Sequence, residues 1–126
     1  MAAGLILFAH GSRDPGWAEP LEKLAARVRG VAPAHEVRTA FLEIMPPNLR
    51  EAVGSLAAKG IRSVRVVPIF FGQGGHMRRD LPTLIEELRA AHPGMSIESV
   101  QPAGEDDGVL EAIVAYCVRQ LSSESR

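Results

Sequence analysis

Gly4-Leu5-Ile6-Leu7-Phe8-Ala9 runs straight into His10-Gly11-Ser12-Arg13-Asp14-Pro15-Gly16, and that junction decides the fold. The first six residues are almost wholly apolar, as a strand covered on both faces must be. The next seven are polar and glycine-rich, so the chain turns there. Leu21, Leu24, Ala25 and Val28 then recur at helical spacing, and Gly30 to Pro33 closes that helix. A buried strand, a turn and an amphipathic helix make one α/β unit.

The unit repeats downstream. Val37, Thr39 and Phe41 mark a second strand, ended by Glu43-Ile44-Met45-Pro46-Pro47, and Leu49, Ala52, Val53, Leu56 and Ala57 mark its helix, stopped at Gly60. Ser63 to Phe71 reads as a third strand, in which Pro68 belongs at an edge or an end because it cannot donate to a ladder. Gly72-Gln73-Gly74-Gly75-His76 leads to a third helix carrying Leu81, Leu84, Ile85 and Leu88, closed at His92-Pro93-Gly94. Met95 to Val100 is a short fourth strand, and Leu110, Ile113, Val114, Cys117, Val118 and Leu121 stripe a last helix. The order βαβαβαβα implies a four-stranded parallel sheet with helices on both faces, and right-handed crossovers make a flavodoxin-like strand order the natural expectation. One domain is expected over residues 1–121, with a flexible tail over 122–126.

Composition narrows the function. The 126 residues hold 14 Lys+Arg against 15 Asp+Glu, a net charge of −1, which argues against a nucleic-acid-coating protein. No apolar run approaches the roughly 18–20 residues of a membrane helix, and Met1-Ala2-Ala3-Gly4-Leu5 has no secretory pattern, so a cytoplasmic location is expected. The one cysteine, Cys117, supplies neither a disulfide nor a CxxC motif, and its place on the last helical stripe predicts a core residue.

In open parallel sheets ligands bind beyond the carboxyl ends of the strands. Three of those exits hold an ionisable residue, His10, Glu43 and His76, each separated from the next by 33 positions. One βα unit lies in each interval, so all three emerge on the same rim. Two imidazoles and a carboxylate suit Co, Ni, Fe or Zn, and serve equally as an acid/base set. Arg13, Arg78 and Arg79 add guanidinium groups suited to a ligand rich in carboxylates. Gly74 and Gly75 keep side-chain bulk away from His76, but the segment has neither a P-loop ending nor a G-x-G-x-x-G pattern. His35, in a turn, and His92, at a helix end, read as structural.

With both histidine blocks in view, the chain resembles the short, single-lobe sirohydrochlorin chelatases. The likeness rests on Phe8-Ala9-His10-Gly11-Ser12-Arg13-Asp14-Pro15, Phe41-Leu42-Glu43, and Pro68-Ile69-Phe70-Phe71 leading to Gly74-Gly75-His76-Met77-Arg78-Arg79-Asp80-Leu81-Pro82, and runs from Leu5 to about Leu121. It implies a flavodoxin-like chelatase fold and a homodimer in which two lobes stand in for the fused lobes of larger relatives. It implies that His10 and His76 bind the metal and assist its insertion; the chemistry of the side chains adds the expectation that both imidazoles accept pyrrole protons, with Glu43 assisting. Gly11, Ser12, Arg13, Gly74, Gly75, Arg78 and Arg79 are then the candidate contacts to sirohydrochlorin. Cobalt is the expected metal substrate, with Fe2+ or Ni2+ as alternatives and no tightly bound cofactor, in cobalamin or sirohaem biosynthesis. Met77, and the loop Met45-Pro46-Pro47-Asn48, depart from the commoner pattern. A non-catalytic metal or tetrapyrrole carrier would use the same residues. A phosphatase with a histidine nucleophile is disfavoured by Ala9 where that class has arginine, and a receiver domain by the lack of an acidic cluster.

Overall fold

The computed structural model describes residues 2–72 and 74–124, and the side chains of residues 76 and 122–124 lie outside that description. Strands β1 (Gly4–Ala9), β2 (Glu36–Phe41), β3 (Ser63–Pro68) and β4 (Ser96–Ser99) alternate with helices α1 (Ala18–Val31), α2 (Leu49–Ala58), α3 (Gly75–Ala91) and α4 (Asp107–Glu124). The four strands form one parallel sheet in the order β2-β1-β3-β4, the flavodoxin-like order. β1 therefore has a partner on each side: Leu5 is level with Val37 and with Arg65, and Leu7 with Thr39 and with Val67. A strand enclosed in this way needs apolar residues on both faces, which is why Leu5 to Ala9 do not alternate.

Pro68 ends β3, where it lies beside Phe8 and is buried. Its missing N–H falls at the last rung of the ladder, which costs a central strand least. The strand is accordingly shorter than the apolar run Ser63 to Phe71. Ile69 N–H still donates to the Phe8 carbonyl at 2.8 Å before the chain leaves the sheet.

The sheet carries two unequal cores. On one face α2 brings Leu49, Ala52, Val53 and Leu56, and α3 brings Met77, Leu81, Ile85 and Leu88, onto Ile6, Phe8, Val64, Val66 and Ile97. On the other face α1 sets Leu21 and Ala25 over Leu7, Val37 and Phe41. The start of α2 is fixed by a capping box in which Asn48 Oδ1 accepts from Glu51 N–H and Glu51 accepts from Asn48 N–H, both at 2.8 Å.

α4 departs from the expectation drawn from its stripe. Every described residue from Asp107 to Leu121 is exposed, and Cys117, expected in the core, is exposed with them. Helical periodicity shows that a face is apolar; what covers that face is settled by where the helix is placed. The helix also continues to Glu124, taking in the first residues of the tail expected over 122–126, and residues 125–126 lie outside the described residues.

Candidate active site

Because β1 lies between β2 and β3, the exits of those strands are neighbours at the carboxyl edge of the sheet. Adjacent strands stand about 4.8 Å apart, so the three exits span roughly 10 Å. The β1–β2 ladder continues into the loops: Leu42 N–H donates to the Ala9 carbonyl at 2.8 Å and Glu43 N–H to the His10 carbonyl at 3.2 Å. Glu43 and His10 are thus bound backbone to backbone, and both are exposed.

Gly11 is what lets these two loops touch. Its φ is +97°, and a Cβ there would lie 2.1 Å from the Glu43 carbonyl oxygen. Beyond Glu43 the chain reverses tightly, with Met45 N–H on the Glu43 carbonyl at 2.8 Å and Ile44 at φ 73°. Ser12 and Asp14 build the turn into α1: Ser12 Oγ accepts from Asp14 N–H at 3.1 Å, and Asp14 Oδ1 accepts from Gly16 N–H at 2.9 Å. Arg13, between them, is exposed.

From β3 the contribution is Phe70, which the sequence reading passed over. Its ring lies 4.8 Å from the His10 ring, centroid to centroid, with planes tilted by 36°. A tilted contact of this kind limits the orientations open to the imidazole. The available signal was an aromatic residue two positions past Pro68, near the end of the run read as the third strand.

α3 begins at the same edge. Gly74 is its N-cap, with no side-chain cap, and Gly75 and His76 are its first two residues. The His76 side chain lies outside the described residues; its backbone stands at the start of α3, on the rim shared with His10 and Glu43. Arg78 and Arg79 follow, both exposed, and the first turn holds no acidic residue, so this end of the helix is positive. Among the described residues no group of three or more His, Cys, Asp or Glu could hold a metal ion. The other two histidines are structural: His35 Nδ1 accepts from Ala3 N–H at 2.9 Å, and His92 caps the end of α3.

Open grooves flank the rim. One of about 350 Å³ is lined by Ala9, Trp17, Pro20, Leu21, Leu24 and Ile69. Another of about 330 Å³ is bordered by Ile69, Phe70, Phe71, Gly104, Val109 and Ile113. Neither includes His10 or Glu43, which stand on an open ledge between the strand exits.

Known proteins are similar to this chain over most of its length. A protein called sirohydrochlorin cobaltochelatase from Sulfurisphaera tokodaii is 30% identical over 123 residues, 98% of each chain. One of the same name from Saccharolobus solfataricus is 35% identical over 117 residues, 88% of this chain and 90% of its own. The crystal structure of a cobalamin (vitamin B12) biosynthesis CbiX protein from Marinobacter aquaeolei superimposes with a TM-score of 0.83 at 34% identity, over 96% of this chain and 98% of that one. A cobalt complex of the sirohydrochlorin chelatase SirB from Bacillus subtilis shares the fold, with a TM-score of 0.72 at 22% identity, and this chain covers 49% of it. The family model called CbiX matches residues 4–119, from the first residue of β1 to within five residues of the end of α4. With both histidine blocks and the Glu43 turn inside that match, the chain belongs to the CbiX family.

Proposed function

We propose that the chain inserts a divalent metal, cobalt first among the candidates, into sirohydrochlorin. The observation that carries this reading is the exposed His10 at the carboxyl end of the central strand, bonded through its backbone to Glu43 and one strand away from the segment leading to His76, inside a full-length CbiX match.

Metallation replaces two pyrrole N–H bonds by bonds to the metal and releases two protons. A neutral imidazole can displace a metal-bound water without adding charge, hand the ion to the ring, and then accept a proton. His10 and His76 take those parts. Glu43 orients an imidazole or passes protons outward. The metal is a substrate in this scheme and leaves with the ring, so a site of few protein ligands suits its task. Sirohydrochlorin is edged with carboxylates, which pair with Arg13, Arg78, Arg79 and the positive end of α3. Gly11, Ser12, Gly74 and Gly75 let a flat ring approach the backbone. We also place the reaction in the cytoplasm; no helix among the described residues is long and apolar enough to cross a membrane.

An open ledge covers one side of such a ring, so a second copy supplies the opposite wall. One copy spans about half of the SirB chain, and two copies provide the same amount of fold.

The test is an absorbance assay of purified protein with sirohydrochlorin and Co2+, Fe2+ or Ni2+ in turn. Metallation faster than the uncatalysed reaction is expected, with cobalt leading. His10→Ala combined with His76→Ala should lower the rate at least ~100-fold. A double variant that retains the full rate would overturn the histidine assignment. Stoichiometric uptake of ring and metal without turnover would make the protein a carrier.

A further inference from the structure

Ile44 occupies a position that is costly for its residue type, and the fold makes no use of its side chain. Among the described residues it is the one non-glycine with a positive φ, 73°, and a β-branched side chain is the least suited to that region. Met45 N–H closes across it onto the Glu43 carbonyl at 2.8 Å, so Ile44 is the middle of a three-residue γ-turn in its rare, strained form. Glycine or asparagine fills such a position at far less cost. Ile44 is nevertheless 61% exposed and belongs to neither core, whereas its neighbour Met45 packs against the core under α1.

Backbone strain that the surroundings enforce points to use. The turn at Ile44 is enforced from two sides. Its closing carbonyl is the oxygen that Gly11 packs against, and Glu43 N–H is held by the His10 carbonyl at 3.2 Å. A large apolar side chain is thereby fixed on the ledge, next to Glu43 and one strand exit from His10. The other exposed apolar side chains near this edge have apolar neighbours. Trp17 lines a groove with Leu24 and Ile69, and the Phe71 ring sits against Gly104 at the root of α4.

An isolated apolar group beside an imidazole and a carboxylate does nothing for a hydrated ion, which calls for polar donors. It suits the face of a flat conjugated ring. We propose that Ile44 is a substrate-contact residue that seats one face of the tetrapyrrole, so that the ring's centre comes over His10. Phe70, against the His10 ring at 4.8 Å, gives the matching apolar surface from the exit on the other side of β1. The exits of β2, β1 and β3 span roughly 10 Å, a width comparable to a tetrapyrrole core. Recognition is then divided: Arg13, Arg78 and Arg79 take the carboxylate edge, and Ile44 takes the face. A side chain held in one direction by a rigid turn loses little freedom when a rigid ring lands on it. The inference rests on the chelatase reading above and names a ring contact of that same site.

Two measurements on the full chain test it: fluorescence titration with metal-free sirohydrochlorin, and cobalt insertion at varied ring concentration. Ile44→Gly and Ile44→Asn remove the apolar group and relieve the turn, whereas Ile44→Leu keeps the apolar bulk. The first two should weaken ring binding and raise KM at least ~10-fold, with kcat changed by no more than about threefold. Their urea midpoints should equal or exceed that of the wild type, because the strained residue is gone. Ile44→Leu should weaken binding less than either. A gain in stability joined to a loss of ring affinity is an outcome that a merely structural role does not produce. Unchanged ring binding in the glycine and asparagine variants, a loss confined to kcat, a lowered urea midpoint in both, or a leucine variant as weak as the glycine one would each overturn the proposal. So would a changed sedimentation coefficient, which would assign Ile44 to contact with a second copy. A wild type that neither binds nor metallates the ring would sink the chelatase reading, and this contact with it. A wild type that metallates the ring while the variants bind it equally well would leave that reading standing and remove the contact alone.

Discussion

At Gly11 the main chain takes a conformation that L side chains rarely adopt, and it does so against the Glu43 carbonyl. Two costs therefore meet in Gly11→Ala: a positive φ for alanine, and a Cβ placed 2.1 Å from a backbone oxygen. Backbone atoms cannot swing aside as a flexible side chain can. The expected loss is at least ~2 kcal/mol, read as a lower urea midpoint with an unchanged slope. The His-Gly pair was legible in the sequence as a turn. The crowding was not, because it depends on a loop more than thirty positions away. Phe70 escaped notice for the same reason: its tie to His10 crosses from one strand exit to the next.

Among the elements, β2 is fastened to the end of α2 by charge. Glu36 Oε1 accepts from Lys59 Nζ and from Arg38 Nη1, each at 3.2 Å. Those contacts, Lys59 first, hold the Glu36 carboxyl below its ordinary value of 4.5. A carboxyl that is more acidic in the folded state adds stability above its unfolded pKa and loses it as the pH falls through the folded one. Thermal melts between pH 6 and pH 3 should therefore show Lys59→Gln less stable than wild type at pH 6, with the gap closing below about pH 4.5. High salt should narrow the gap at pH 6, since the pair is partly exposed. Element identity was legible throughout, because buried strands and striped helices differ in period. The equal spacing of His10, Glu43 and His76 also located the rim, since each βα unit returns the chain to the same edge. Pro68 was legible as a residue for an edge or an end, yet the run of apolar residues carried the expected strand on to Phe71, and only the partner strand fixed the last rung at Pro68.

For the whole molecule, stability becomes a property of concentration when two copies build the cleft proposed above. Binding between native chains raises the melting temperature by mass action. The wild-type melting temperature should rise across a hundredfold increase in protein concentration. A flat wild-type curve would count against a cleft built from two copies. The stripe of α4 was readable residue by residue, and the sequence reading turned it inward because most such stripes cover their own sheet. Cys117 went with it.

The strand exits carry a further consequence. The larger core lies between the sheet and the helices α2 and α3, whereas His10 and Glu43 stand exposed past the last rungs. On the proposed assignment, reactivity and durability are housed in different residues. If His10 and Glu43 act as proposed, exchanging the groups at positions 10 and 43 retunes which ion is accepted while the scaffold beneath keeps its melting behaviour, so this architecture is open to new metal preferences without having to be folded anew.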